Sequence, residues 1–348
     1  MLFRDSTAAN GKRGRCKTPC FIQFKYGEDA HASGKISQVP LDVSRARLYI
    51  IEKVIEKKNQ ISSGVANVLR LQEWQRRIAG QETACFMNDY PCAILRCGVL
   101  HGAYHRIVFY APHVTAGAKP GQFVHVRIGE ALDHILRRPF SICDVDAANG
   151  ELTLVFKVVG AGTERLAQMK PGESCRILGP LGTSYSEPDE NVFPVIAAGG
   201  YGSASTLFLA KKSPRPGILF LGARTESDFI LIDEYKALGW RVETATNDGS
   251  SGFKGFVTEL MEARKAEFPA NTMVYGCGPA PMLYALAKTA EKLGLKCEVS
   301  MDQHMGCGVG ACFACVIKVV DKASPDGWRY SRSCKEGVVY PATEVYCG

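Results

Sequence analysis

Three cysteines of one short run, Cys307, Cys312 and Cys315, are spaced as CxxxxCxxC, and a fourth, Cys334, follows 19 residues after the third. That spacing is the plant-type ligand pattern of a [2Fe-2S] cluster, which carries single electrons. Gly308, Gly310 and Ala311 lie between the first two ligands. Such small residues let a backbone curl around a cluster and aim its amide N–H groups at the sulfurs. Four cysteines also suit zinc, but structural zinc sites pair their ligands as two short knuckles, and here three ligands share one glycine-rich loop. Disulfides fit less well, because no signal peptide or other mark of export accompanies the 14 cysteines. Cys92, Cys97, Cys143, Cys175 and Cys297 read as plain buried thiols.

The chain has 348 residues, 46% hydrophobic and 22% charged, enough for two or three ordinary globular domains. No apolar run reaches the length of a membrane helix. The formal charge of +7 is uneven. Residues 1–86 carry 15 Lys and Arg against 8 Asp and Glu, while the remaining 262 carry 27 of each. A basic leader of this kind suggests nucleic acid, an anionic membrane or targeting, but it lacks interleaved aromatics and contains acidic residues. An amphipathic helix, or two, fits Ser44 to Ile78. Because Met87 opens a segment that reads as a natural start, residues 1–86 are expected to be an upstream extension. Cytoplasmic residence is expected, with neither nucleic acid nor membrane as a partner.

From Cys92 to about Leu178 the sequence alternates apolar and polar residues in six short runs, CAILRCGVL, YHRIVFYA, QFVHVRI, FSICDV, LTLVFKVV and ESCRILG. Turn signals at Lys119-Pro120-Gly121, Asn149-Gly150 and Lys170-Pro171-Gly172 divide them, which predicts a small antiparallel barrel. After the acidic stretch from Glu187 to Glu190 the pattern changes to buried strands alternating with helices, beginning with VFPVIAAGG and a helix from Ser203 to Lys211. That alternation predicts a doubly wound parallel sheet. The last 50 residues or so are rich in glycine and cysteine, and a segment that small depends on a bound cluster for stability. The predicted architecture is therefore an antiparallel β-barrel at 87–190, a doubly wound parallel sheet at 191–297 and a small C-terminal [2Fe-2S] domain at 298–348.

Several turns carry nucleotide chemistry. Gly199-Gly200-Tyr201-Gly202 joins a strand to a helix, where glycines let the backbone approach a pyrophosphate. Glycine-rich turns also end many parallel strands that bind nothing. A second turn, Gly276-Cys277-Gly278-Pro279, ends another strand of the same sheet and strengthens the case for a dinucleotide. In the barrel, Arg138, Pro139, Phe140 and Ser141 offer a cation, a ring and a hydroxyl on one strand. A surface salt bridge is the commoner fate of an arginine. Lys157 is followed by Gly160-Ala161-Gly162-Thr163, a glycine turn of phosphate-binding type leading into a helix.

Taken in order, PGQFV (Pro120 to Val124), RRPFSI, VFK before GAGT, GPLG (Gly179 to Gly182), AAGGYG, LGART, TNDGS, GFVT, YGCGP, MGCGVGACFACV and SCKEG resemble the ferredoxin-NADP reductase superfamily. Within it, the chain is most similar to the electron-transfer subunits of type B dihydroorotate dehydrogenase, over Met87 to Gly348. The resemblance implies that FAD is held by Arg138, Pro139, Phe140, Ser141, Val155, Phe156, Lys157, Gly162 and Thr163. It implies a nicotinamide path along Gly200, Gly202 and Gly278, with Cys277 the candidate catalytic residue beside the nicotinamide, and cluster ligation by Cys307, Cys312, Cys315 and Cys334. It further implies a catalytic partner subunit, a TIM barrel with FMN, in a heterotetramer of two plus two. Electrons would pass from that FMN through [2Fe-2S] and FAD to NAD+, in pyrimidine biosynthesis. Gln303-His304 departs from the acidic-basic pair frequent in the family. Another reductase of the superfamily, serving an oxygenase, glutamate synthase or sulfide dehydrogenase, shares these motifs, and Arg224 beside Glu226 leaves NAD against NADP open.

Overall fold

Alternation in the first strands decides the shape of the first half. Cys92 and Ile94, Ile107 and Phe109, Val124 and Val126, Leu152 and Leu154, and Cys175 and Ile177 all enter one core, two residues apart on each strand. The computed structural model describes residues 89–128 and 136–345, so the basic leader and its amphipathic stretch lie outside the described residues. The strands around this core are β1 (Asp89–His101), β2 (Tyr104–Tyr110), β3 (Phe123–Arg127), β4 (Arg138–Ser141), β5 (Asp144–Asp146), β6 (Glu151–Lys157) and β7 (Ser174–Leu181). They form one antiparallel sheet in the order β4-β3-β7-β1-β2-β6-β5. Short helices α1 (Pro112–Thr115) and α2 (Ala161–Gln168) connect them.

Seven strands stand where six are expected, because the run FSICDV divides at Ile142-Cys143. The Ile142 N–H donates to the Gln122 carbonyl at 3.0 Å, and the Cys143 N–H donates to the Thr153 carbonyl at 3.1 Å. One continuous segment thus pairs with β3 through its first half and β6 through its second. This joins the two edges of the sheet and closes the barrel.

The second sheet has the order β11-β10-β9-β8-β12-β13-β16. Its parallel members are β8 (Phe193–Gly199), β9 (Ile218–Ala223), β10 (Arg241–Thr246), β11 (Phe253–Lys254), β12 (Thr272–Cys277) and β13 (Lys296–Ser300). Unbroken apolar runs such as Val195–Ala198 and Ile218–Leu221 suit strands covered on both faces. Helix α3 (Gly202–Lys212) follows β8, α4 (Ile232–Ala237) follows β9, and α5 (Val257–Ala263) and α6 (Ala280–Leu293) follow β11 and β12. From β8 the order runs outward through β9 and β10, then returns to β12 and β13 on the other side. The direction reverses between β8 and β12, the place where such sheets bind nucleotides.

Beyond β13 the chain makes an irregular loop, then a ribbon of β14 (Val316–Val320) and β15 (Trp328–Arg332). Strand β16 (Val339–Pro341) comes back antiparallel to β13, pairing Ser300 with Val339. The cluster segment is therefore anchored at both ends in the parallel sheet. Thr183, at the barrel's exit, accepts the Val339 N–H on its hydroxyl at 3.1 Å and donates to the Val339 carbonyl at 2.9 Å. Tyr185 is buried and donates to the Gly276 carbonyl at 2.8 Å. Together these bonds seat barrel, sheet and cluster segment against one another.

Candidate functional site

Strand β4 lies beside β3, with Phe140 opposite Val124 and Arg138 opposite Val126. Phe140 reaches the barrel core and meets Phe156 of β6 at 5.6 Å between ring centroids. The Arg138 guanidinium stays half-exposed and donates to the Leu136 carbonyl. It also rests on Gly162: a Cβ there would sit 2.9 Å from its Nε. The turn before α2 is clipped by Thr163, whose Oγ1 accepts the N–H groups of Val159 at 2.9 Å and Gly160 at 3.2 Å. Lys157 reaches Asp228 at 3.4 Å and lies over the Tyr104 ring.

These residues form one wall of a cleft of about 1110 Å³. Arg138, Pro139, Phe140, Ser141, Val155, Phe156, Lys157 and Thr163 all line it, and Gly162 supports it from behind Arg138. A cation and a bare helix start at one end, with the Phe140 and Phe156 rings along the side, fit a phosphate-bearing flavin. The opposite wall contains Tyr201, Ala204, Ser205, Ala280 and the segment Asp302 to Gly306, none of which the sequence assigned to the cleft. Tyr201 donates to Asp302 Oδ2 at 3.4 Å. Burial pushes the Asp302 carboxyl up, against the opposing pull of that hydroxyl and the Gln303 N–H. The one signal in the sequence was the pair Gln303-His304, which stands in this wall.

The two glycine turns of the parallel sheet touch at the switch point. A Cβ on Gly202 would collide with the Cys277 carbonyl, and a Cβ on Gly278 would meet Met282 Sδ at 2.9 Å. Gly200 takes a positive φ of 54° that bends the chain into α3. Gly200, Gly202 and Gly278 therefore bring two loops close together, and Tyr201, Ala204 and Ser205 are what they present to the cleft. Cys277 is buried, and burial pushes its thiol up to about 11 despite contacts with Ser205 and Ser300. A neutral thiol is a poor nucleophile. The remaining cysteines expected as structural thiols are buried at Cys92, Cys143, Cys175 and Cys297, whereas Cys97 is half-buried and donates to the Met169 carbonyl at 3.1 Å.

The cleft's far wall runs directly into the cysteine loop. Cys312 is exposed, Cys307 half-buried, and Cys315 and Cys334 buried. Backbone N–H groups point at the sulfurs: Val309, Ala311 and Cys312 toward Cys307, Cys307 toward Cys312, and Gly310 toward Cys334, at 3.2 to 3.4 Å. Burial opposes ionisation of Cys307, but these donors and the neighbouring Cys312 thiol bring it down to about 7. Burial pushes Cys334 up to about 12, with the Cys315 thiol beside it adding to the rise. The thiols thus fall into two pairs, Cys307 with Cys312 and Cys315 with Cys334. Among the described residues no three His, Cys, Asp or Glu side chains converge on a single ion. Two thiol pairs with amide donors fit a two-iron cluster with two thiolates on each iron. Arg332 braces the loop by donating to the Gly310 carbonyl at 2.8 Å and pairing with Glu336.

One further side chain meets this loop. His125 of β3 is fully buried, and neither ring nitrogen has a hydrogen-bond partner among the described residues. Burial, with Arg137 nearby, holds its pKa down to about 4.

Comparisons with known proteins agree with this arrangement. A family model described as the iron-sulfur cluster binding domain of dihydroorotate dehydrogenase B matches residues 302–346, and one described as an oxidoreductase FAD-binding domain matches residues 102–185. The dihydroorotate dehydrogenase B (NAD(+)) electron transfer subunit of Desulforamulus reducens is 40% identical over 240 residues, covering 68% of this chain and 90% of that protein. The corresponding subunit of Geobacillus kaustophilus is 38% identical over 233 residues, covering 65% of this chain and 86% of that protein. Among solved structures, an NADH-dependent reduced ferredoxin-NADP oxidoreductase described for flavin-based electron bifurcation matches with a TM-score of 0.64. It is 28% identical, over 73% of this chain and 89% of its own. The ferredoxin-NADP+ reductase of Neisseria gonorrhoeae shares the fold, with a TM-score of 0.50 at 18% identity over 60% of this chain and 92% of its own. This chain belongs to the family of dihydroorotate dehydrogenase B electron transfer subunits.

Proposed function

We propose that the chain passes electrons between an FMN-bearing, TIM-barrel catalytic subunit that oxidises dihydroorotate and the acceptor NAD+, in a cytoplasmic heterotetramer of two plus two. One observation carries this reading. The cleft whose wall is Arg138 to Ser141 and Val155 to Lys157 is closed on its other side by His304, Met305 and Gly306, and Cys307 is the next residue. A flavin held there and a cluster held by Cys307, Cys312, Cys315 and Cys334 are separated by only a few residues of chain. When bound, FAD exchanges hydride with a nicotinamide and single electrons with an iron-sulfur group.

The chain's own residues supply position and electrostatics. Arg138 and the start of α2 meet the flavin's phosphates, and Phe140, Val155 and Phe156 keep the ring environment apolar. Gly202 and Gly278 let the two loops close on each other at the switch point, and Gly200 faces open space where a dinucleotide would approach. The amide N–H groups of the cysteine loop offset the negative charge of bound thiolates. Dihydroorotate oxidation is assigned to the partner subunit, and this chain's part is to carry the electrons onward. The free cysteines suit a reducing compartment. Among the described residues no helix is long and apolar enough to cross a membrane.

Purification from the native host tests the reading. The expected result is a coloured protein with flavin and [2Fe-2S] absorption that copurifies with an FMN subunit and reduces NAD+ with dihydroorotate. A colourless zinc protein would overturn it. A second reading, a flavin and iron-sulfur reductase serving another partner, draws on the 28% identity to the reduced ferredoxin-NADP oxidoreductase. Copurification with a ferredoxin-linked partner and no response to dihydroorotate would favour that alternative.

A further inference from the structure

The alternation of β3 sends Val124 and Val126 into the barrel and turns Phe123 and His125 outward. Phe123 lines the flavin cleft, and His125 faces the cysteine loop. A Cβ placed on Gly308 would lie 2.8 to 2.9 Å from three atoms of the His125 ring. The imidazole therefore rests on bare backbone one residue after Cys307. Gly308 holds a positive φ of 71°, so its lack of a side chain serves both the turn and this contact.

His125 is 0% exposed, and both ring nitrogens lack partners among the described residues. Elsewhere in this region polar groups are satisfied: the N–H groups of Val309, Gly310, Ala311 and Cys312 all point at cysteine sulfurs. A buried neutral imidazole carries one N–H, and native interiors rarely leave such a donor without an acceptor. Burial keeps the ring neutral with a pKa of about 4, so the donor is a single N–H and no buried cation is required. The imidazole packs on Gly308, the residue after Cys307, and the group that the four thiols would hold is rich in sulfur acceptors.

We infer that His125 donates a hydrogen bond from its ring to the iron-sulfur group held by Cys307, Cys312, Cys315 and Cys334, and so raises the reduction potential of that group. The inference rests on the cluster reading above. A donor to a cluster sulfur stabilises the reduced, more negative state, which makes the cluster a better electron acceptor. The barrel that carries the flavin wall would then also tune the cluster.

The test uses the full chain labelled with 15N-histidine, its cluster reduced and examined by pulsed electron paramagnetic resonance, beside redox titrations of His125→Phe, His125→Asn and His125→Gln. The expected results are a weakly coupled imidazole nitrogen that disappears in His125→Phe, a lower cluster potential in that variant, and partial recovery where one of the two amides restores an N–H. The flavin potential should not move. If His125→Phe fails to hold a cluster, the labelled wild-type chain still decides, since no imidazole coupling at its reduced cluster would overturn the inference. Coupling that persists in His125→Phe would assign the nitrogen to His304 and overturn it equally. A purified chain without iron would instead overturn the cluster reading, and this inference with it.

Discussion

From Asp89 to Leu181 the chain buries alternate residues of seven strands in one core, whereas from 301 to 315 no residue lies in a helix or strand. The first region holds its wall in place by packing, and it needs no bound group to do so. The second is a loop braced by Arg332, by amides aimed at sulfur and by its anchorage in β13 and β16. Its free energy must come largely from what the thiols bind. A flavin site built on strands and a cluster site built on a loop should therefore fail separately.

The largest expected effect breaks the two regions apart. Cys312→Ser should abolish the cluster's absorption and the flow of electrons from the partner to NAD+, while NADH-driven dye reduction through the flavin is retained. Simultaneous loss of both would show that the loop is needed to fold the barrel. Chemical removal of iron should likewise expose the segment between 301 and 338 to limited proteolysis and leave the barrel resistant, as measured by mass analysis of the fragments. Arg138→Ala attacks the other region. Its half-exposed guanidinium contributes at the lower end of a charge-assisted contact, about 1.5 kcal/mol. FAD should then dissociate roughly tenfold more readily, with the cluster spectrum unchanged. Equilibrium dialysis of flavin against the two proteins measures this directly.

A smaller effect is expected where the two glycine turns meet. Gly202→Ala would push a methyl group against the Cys277 carbonyl, a backbone atom that cannot swing aside. Overpacking of this kind costs about 1–3 kcal/mol. The melting temperature should fall, and the KM for NADH should rise more than the KM for a dye that bypasses the nucleotide path. Equal changes in both would place the damage in the flavin wall.

Legibility followed the same division. The cysteine spacing and the glycine turns could be read directly, because each depends on a few local residues whose chemistry leaves little choice. Alternation revealed the barrel, but not its closure: Ile142 and Cys143 look like the middle of one strand, and only their hydrogen bonds to opposite edges show the break. The return of β16 to pair with β13 was hidden, since Val339-Tyr340-Pro341 is too short to carry a pattern. The cleft's second wall was hidden for another reason. Tyr201 and Asp302 are 101 residues apart, and their meeting depends on how the sheet orders its strands. His125 reads as one more polar member of an alternating strand, and only the loop folded over it makes its burial visible.

The smallest expected effect concerns Cys277, the residue that the family resemblance implies beside the nicotinamide. It ends β12 at the switch point, in contact with Gly202 through its carbonyl. That contact belongs to the backbone and survives any change of side chain. The thiol is buried and held up to about 11 by that burial, so at neutral pH it is neither charged nor accessible. Cys277→Ser keeps the size and the contacts with Ser205 and Ser300 while removing any thiol chemistry. NADH-driven dye reduction should stay within about threefold of the parent, as expected where no thiolate participates. Iodoacetamide should label Cys312 in cluster-free protein well before Cys277. A loss of hydride transfer in Cys277→Ser with flavin and cluster fully bound would instead give that sulfur a direct part at the nicotinamide, and would extend the chemistry of the parallel sheet beyond shaping a nucleotide path.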